Sequence, residues 1–202
     1  ATVGMDYTPF VERIADNGEP GFAWLDNMQN FGRMGDGYNP IDHKVRGGNP
    51  CQEQSLEHME LCTLVESFPC NHVDLDDYLK TLFSAFLYAK IVTLGEVHWP
   101  ESRKVMNRNK RVGTSMSGIA QFVHRYGIGK LKEWCDKGYR ELTLVDDFLS
   151  GIFQVPMSIK RTSVKPSGTV SLLAGATPGL HYPESNYYIR RIRVSKYSDL
   201  LP

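Results

Sequence analysis

Asn49-Pro50-Cys51-Gln52-Glu53 is the stretch from which the rest of the chain is read. Pro50 biases Asn49 toward extended backbone and bars a helix, and in an extended run residues i and i+2 face the same side. The thiol of Cys51 and the carboxylate of Glu53 are therefore expected to meet one small molecule together. Upstream, Gly32, Gly35, Gly37, Pro40, Gly47 and Gly48 make a long breaker-rich loop that delivers the chain to Asn49. A cysteine is most often an inert small hydrophobe. One flanked by Asn, Pro, Gln and Glu is poor core sequence and a good loop tip, where chemistry tends to reside.

Downstream, residues 62–68 are rich in β-formers and are stopped by Pro69, which predicts a buried strand that includes Cys62. Asp74 caps the clearest helix: Leu75, Tyr78, Leu79, Leu82, Phe83, Phe86 and Leu87 recur at i, i+3, i+4 spacing, one apolar face. Trp99-Pro100 opens a second helix to about Arg111, and residues 112–116 read as a short strand. Further helices are predicted over 117–126, closed by Gly127, and over 130–137 and 140–153. Residues 158–164 return to strand, 165–169 turn into a short helix, and 187–194 form a last strand. Near the N-terminus, Thr8-Pro9 opens a helix ending at Gly18, residues 22–25 suit a short strand and 26–31 a helical turn. Strands alternating with helices predict a parallel α/β arrangement.

With 202 residues, 41% of them apolar, the chain can bury one substantial core. Lys plus Arg and Asp plus Glu both total 23, so no net field draws it to nucleic acid or an anionic membrane. Its apolar runs are too short to span a bilayer and no secretory signal opens it, although a start on Ala1 suits processing or truncation. Four cysteines, Cys51, Cys62, Cys70 and Cys135, are too few for a disulfide scaffold, which places the chain in a reducing, cytoplasmic compartment.

An anionic Glu53 disfavours a thiolate beside it. A neutral S–H with a neighbouring base suits hydrogen-atom chemistry instead, with the sulfur as the radical and the carboxylate as proton acceptor. Cys62 can be read as a strand residue, as a disulfide partner of Cys51, or as a metal ligand. In the last case Cys51, Cys62, Cys70 and His72 supply four ligands within 22 residues, though without a close Cys-X2-Cys pair. Pro166, Ser167, Gly168 and Thr169, behind Lys165, offer N–H groups and hydroxyls for a phosphate, and equally an ordinary turn with a helix cap. The full nucleotide-triphosphatase loop pattern is absent. Thr177-Pro178-Gly179 with His181 is a turn, Tyr187-Tyr188 suits strand packing, and Arg190, Arg191 and Arg193 suit a solvated or phosphate-facing edge.

Together these motifs, in this order, resemble the catalytic half of a ribonucleotide reductase, most closely the monomeric adenosylcobalamin-dependent class acting on ribonucleoside triphosphates. The resemblance rests on Asn49-Pro50-Cys51-X-Glu53, Cys62 at the family's spacing, Lys165-Pro166-Ser167-Gly168-Thr169-Val170, Pro178-Gly179-X-His181 and Tyr187-Tyr188-Ile189-Arg190-Arg191. It implies an α/β fold, a portion of a ten-stranded α/β barrel with a central finger loop, and residues 1–202 as one region of the C-terminal part of the catalytic barrel. It also implies that Cys51 becomes a thiyl radical generated with adenosylcobalamin, that Glu53 is the base on the ribose 3′-hydroxyl, and that Asn49 hydrogen-bonds the ribose. Cys62 would be one thiol of a redox pair, and Pro166, Ser167, Gly168 and Thr169 would hold the substrate phosphates. The implied partners are a ribonucleotide substrate, a thioredoxin-type dithiol reductant and a dNTP effector, with no nucleic acid and no membrane, and no residue is assigned as a metal ligand. In the family the second reducing cysteine lies far upstream, and none of the 50 residues before Cys51 is a cysteine, which implies a fragment of a longer chain. Two alternatives stand beside this reading: the large subunit of an iron-dependent ribonucleoside-diphosphate reductase, and a non-enzymatic module stabilised by zinc on Cys51, Cys62, Cys70 and His72.

Overall fold

The computed structural model describes residues 1–183, 185–189, 191 and 193–199. In chain order its elements are α1 (Thr8–Asn17), α2 (Leu25–Asn30), β1 (Val45–Gly48), β2 (Ser55–Glu57), β3 (Leu64–Ser67), α3 (Leu75–Val92), α4 (Pro100–Asn109), β4 (Gly113–Met116), α5 (Ile119–Phe153) and α6 (Val170–Leu173). Local chemistry explains several of the helix ends. The Asp74 carboxylate accepts from the Asp77 N–H at 2.9 Å and starts α3. Proline stands in the first turn of α1 and α4, where its missing N–H costs nothing, and a left-handed Gly18 closes α1. Tyr7, rather than Thr8, is the cap residue of α1, and the Asp6 carboxylate takes up the Thr8 N–H at 2.9 Å.

β3 and β4 pair in parallel, from Leu64 opposite Gly113 to Ser67 opposite Met116, with α3 and α4 forming the crossover that parallel pairing requires. Residues 158–164 lie along the other side of β4. The Val112 N–H donates to the Lys160 carbonyl at 3.0 Å, the Thr114 N–H to the Arg161 carbonyl at 2.9 Å, and the Ser163 N–H to the Thr114 carbonyl at 3.2 Å. That run makes one isolated parallel bridge, Thr114 to Thr162, so the expected strand is an extended edge rather than a full ladder. β1 and β2 form a separate antiparallel hairpin with an irregularity between Val45 and Gly47.

Several sequence expectations are corrected. Residues 22–25 form no strand, because Trp24 already caps α2. The strand expected over 62–68 begins only at Leu64, where its partner β4 begins, and Cys62 is exposed ahead of it. No strand occurs among the described residues of 187–194; Tyr187 and Tyr188 are exposed, and Arg190 lies outside the described residues.

The expected division of residues 130–153 into two helices is absent. α5 bends at Gly127 (φ 81°, ψ 160°) and then runs on through Gly138. Gly138 is buried against α3: a Cβ there would lie 3.0 Å from Leu82 Cδ1. It is a packing glycine rather than a break. Tyr78, Leu82 and Phe86 of α3 meet Leu131, Trp134, Leu142, Val145 and Leu149 of α5, with Tyr78 stacked on Trp134 at 5.3 Å and Phe122 edge-on to the same indole at 4.8 Å. Full burial of each such side chain contributes about 1.5–3 kcal/mol. Tyr78 also reaches the sheet: its hydroxyl lies 3.1 Å from Ser67 Oγ, which donates to the Ser115 carbonyl at 2.8 Å. Burial pushes the Tyr78 phenol up to about 12.

Behind this core, Lys90 and Asp146 are paired at 2.7 Å, both wholly buried. Lys90 also donates to the Pro156 carbonyl and Ser158 Oγ, while Asp146 accepts from Arg161 Nε at 2.9 Å and the Ser158 N–H at 2.8 Å. Burial pushes the Lys90 amine down, and the Asp146 carboxylate opposes that. Asp146→Ala leaves a buried ammonium unpaired and is expected to cost about 3–5 kcal/mol. Chemical denaturation of the full-length chain checks this. A loss below about 0.5 kcal/mol, the scale of a surface change, would contradict it.

Candidate active site

The loop between β1 and β2 is a hairpin tip closed on itself. Asn49 and Gln54 exchange backbone and side-chain bonds: the Asn49 N–H donates to the Gln54 carbonyl and the Gln54 N–H to Asn49 Oδ1, each at 3.1 Å. Inside that clasp the Gln52 N–H donates to the Asn49 carbonyl at 2.8 Å, with Gln52 in the left-handed region (φ 59°). Cys51 and Glu53 therefore come together through a tight turn and not through the extended run that Pro50 suggested. Cys51 sits exposed at the tip.

The Glu53 side chain is 1% exposed. Its Oε1 faces the Lys165 ammonium at 3.4 Å, and its Oε2 is buried with no hydrogen-bond partner. The same ammonium lies 4.0 Å from Cys51 Sγ. Thiol and carboxylate thus meet on one cation, which the sequence reading had assigned only to the approach of a phosphate turn. Glu53 also borders a cavity of about 240 Å³ shared with Gln52, Phe31, Lys160 and Thr162.

Beneath the tip, a four-charge cluster fastens the hairpin to the sheet. Arg111 at the foot of β4 holds Asp42 through two bonds, Nη1 to Oδ2 at 2.7 Å and Nη2 to Oδ1 at 2.6 Å, and its Nε pairs with Glu60 at 3.0 Å. Lys160 pairs with Asp42 at 3.1 Å and donates to Ser55 Oγ of β2 at 2.8 Å. Two cations meet two carboxylates, so the cluster is close to neutral. Burial pushes the Lys160 amine down and Asp42 opposes it. Nothing in a single sequence marks these four residues as partners, because each comes from a different segment.

The remaining candidates are placed as follows. Asn49 is buried with Oδ1 committed to the loop, so its established work is to close the turn. Cys62 lies between β2 and β3 and is exposed, as is Cys51, whereas Cys70 and Cys135 are half-buried; none of these four thiols is in a disulfide. Pro166, Gly168 and Thr169 are exposed, whereas Ser167 is buried in the left-handed region (φ 46°) and its Oγ accepts from the Ser171 N–H at 3.3 Å. The turn after them returns to the same place: Gly179 (φ 48°) donates its N–H to Ser117 Oγ at 2.9 Å, and a Cβ on it would sit 2.4 Å from the Lys165 carbonyl oxygen. The zinc alternative finds no cluster. His72 Nδ1 is taken by Asp77 at 2.8 Å, the Cys70 sulfur faces Asn71 and Gln121, and no group of three or more His, Cys, Asp or Glu is placed to hold a metal among the described residues. Burial pushes the Cys70 and Cys135 thiols up.

A thiol and carboxylate on a hairpin tip beside a parallel strand pair is the arrangement that the resemblance to a ribonucleotide reductase barrel implies, and the comparisons bear on the same family. A probable adenosylcobalamin-dependent ribonucleoside-triphosphate reductase of Dictyostelium discoideum is 59% identical over the whole chain, and an adenosylcobalamin-dependent ribonucleoside-triphosphate reductase of Euglena gracilis is 57% identical. The crystal structure of a B12-dependent (class II) ribonucleotide reductase superposes on 87% of the chain with TM-score 0.81 at 36% identity, covering 28% of that protein. The class Id ribonucleotide reductase alpha subunit of Actinobacillus ureae, TM-score 0.70 at 14% identity over 89% of this chain and 39% of its own, shares the fold. No protein-family profile matches the chain. The chain belongs to the adenosylcobalamin-dependent ribonucleotide reductase family and spans 27% and 28% of the length of the two curated relatives. Its architecture is a portion of that α/β barrel.

Proposed function

We propose that this segment carries the radical site of an enzyme that reduces ribonucleoside triphosphates to 2′-deoxyribonucleotides, as the C-terminal part of a catalytic barrel completed by other parts of a longer chain. The observation that carries the reading is the hairpin tip, with its thiol exposed and its neighbouring carboxylate oxygen, Glu53 Oε2, buried without a partner. A buried acceptor left open is costly unless a ligand hydroxyl meets it. The exposed Cys51 sulfur likewise suits a radical donor that must reach it from outside the loop.

Adenosylcobalamin, when bound, supplies the radical that converts the Cys51 thiol to a thiyl. The Cys51 sulfur then takes the ribose 3′ hydrogen atom, and Glu53 takes the 3′-hydroxyl proton. Release of the 2′-hydroxyl as water makes room for two electrons and two protons, drawn from Cys62 and a second thiol that join as a disulfide. Cys51 returns its hydrogen atom to C3′ and Glu53 its proton to the oxygen. Asn49 keeps the tip in shape, and its amide is the group on hand for the sugar. The exposed Gly168 and Thr169 face solvent on the segment that begins at Lys165, which supports Pro166, Ser167, Gly168 and Thr169 as the phosphate-holding turn.

The exposure of Cys62 also supports a thioredoxin-type dithiol as the outside reductant, and four free thiols support a cytoplasmic setting. No described helix is long and apolar enough to cross a membrane. A dNTP effector would act through parts of the longer chain beyond this segment.

Full-length chain, adenosylcobalamin, a ribonucleoside triphosphate and a dithiol, without a second subunit, are expected to yield deoxynucleotide. No product under those conditions, with product from a diphosphate once an iron-containing subunit is added, would replace this reading with the iron-dependent one. In the same assay Cys62→Ser should give one turnover at most, a loss of about a hundredfold or more over many cycles. Sustained turnover by that variant would remove Cys62 from the redox pair.

A further inference from the structure

We propose that Lys165 is a third working residue of this site: its ammonium balances the buried Glu53 carboxylate and donates to the Cys51 sulfur, so that one side chain sets both groups against the substrate. The inference rests on the reading of residues 51 and 53 given above.

A carboxylate as buried as Glu53 requires a counter-charge or a set of donors. Lys165 supplies it at 3.4 Å, while its own side chain keeps 35% exposure and so is not trapped itself. An ammonium has three protons to donate. One points to Glu53 Oε1 and another to the sulfur at 4.0 Å, the long end of a contact to sulfur. A sulfur that accepts from the ammonium turns its own hydrogen elsewhere, toward the open side of an exposed tip.

The stem is fixed at its root. The Lys165 N–H donates to Ser115 Oγ of β4 at 2.8 Å, and its carbonyl rests against the bare face of Gly179. Lys160, beside the neighbouring cavity, is committed to Asp42, Ser55 and the Met28 carbonyl. The bland alternative for Lys165, one more contact to substrate phosphate from the turn that follows it, predicts a different kinetic signature.

The test uses Lys165→Met and Lys165→Arg in the full-length chain, with two readouts. In steady state, Lys165→Met should lower kcat about 10- to 100-fold with KM within about threefold, since the lost interaction is with the reacting groups. Lys165→Arg should recover part of it, because charge is retained with altered reach. Independently, iodoacetamide alkylation of Cys51, followed on its peptide by mass spectrometry without cofactor or substrate, should slow about three- to tenfold in Lys165→Met as the thiolate loses its cation. Glu53→Gln should speed it. A loosened loop would make Cys51 react faster, so slowing cannot come from disorder. An effect confined to KM, an unchanged kcat, or alkylation that is unchanged or faster in Lys165→Met overturns the proposal. Should the unsubstituted chain reduce no ribonucleotide, the functional reading fails and the alkylation arm alone decides the placement of Lys165: slowed supports it, unchanged or faster rejects it.

Discussion

Cys51→Ser in the full-length chain is expected to lose all detectable ribonucleotide reduction, a fall of at least about a thousandfold. The substitution keeps the shape of the tip and exchanges one atom. A serine O–H holds its hydrogen far more tightly than a thiol does, so the residue can neither give that hydrogen up readily nor regain it gently from the sugar. Asn49, Gln52 and Gln54, which close the turn through backbone and amide groups, are untouched by the exchange. Substrate binding should therefore survive, measurable by equilibrium binding of the ribonucleoside triphosphate. Residual turnover within about tenfold of the unsubstituted chain would mean that another atom carries the radical.

Asp42→Ala should be as damaging as any change outside the chemistry. Its carboxylate takes two bonds from Arg111 and pairs with Lys160, and all of this lies beneath the β1–β2 hairpin. Removing it leaves two buried cations facing Glu60 alone, at an expected cost of about 3–5 kcal/mol. Arg111 is fully buried and Lys160 nearly so, which leaves little water to take up the imbalance. Charge balance gives a sharper check. Asp42→Leu combined with Lys160→Met removes one charge of each sign and leaves Arg111 with Glu60. The pair should cost less than the sum of its single changes by about 1–3 kcal/mol. Strict additivity in denaturation midpoints would show that the four residues do not act as one cluster.

How far the sequence could be read depended on how local each cause was. α3 was legible from its own residues, since the Asp74 cap and the spacing from Leu75 to Leu87 are set within one helix. Gly127 was legible for the same reason, as a backbone bend. Gly138 was not, because what selects it is Leu82 on another helix. The β-rich run from Cys62 suggested a longer strand than exists, for a ladder extends only as far as its partner, and β4 begins at Gly113 opposite Leu64.

The site divides in the same way. That Cys51 and Glu53 share a place was readable from two residues, although the expected extended geometry was wrong and a left-handed Gln52 supplies the turn. That Lys165 reaches them across 112 positions from Glu53 was not readable, since nothing near residue 165 announces where the chain returns. The family resemblance implies the roles, and the fold sets the cation between them.

Gly179 draws these threads to one point. Its α-carbon faces the Lys165 carbonyl at a separation that admits a hydrogen and no methyl group. Reactivity at the hairpin is thereby gauged from the rear, by the thickness of a residue that touches neither sulfur nor carboxylate. A lesion at that shim would push on the Lys165 backbone and strain a left-handed turn at once, so lost stability and misplaced chemistry would arrive together.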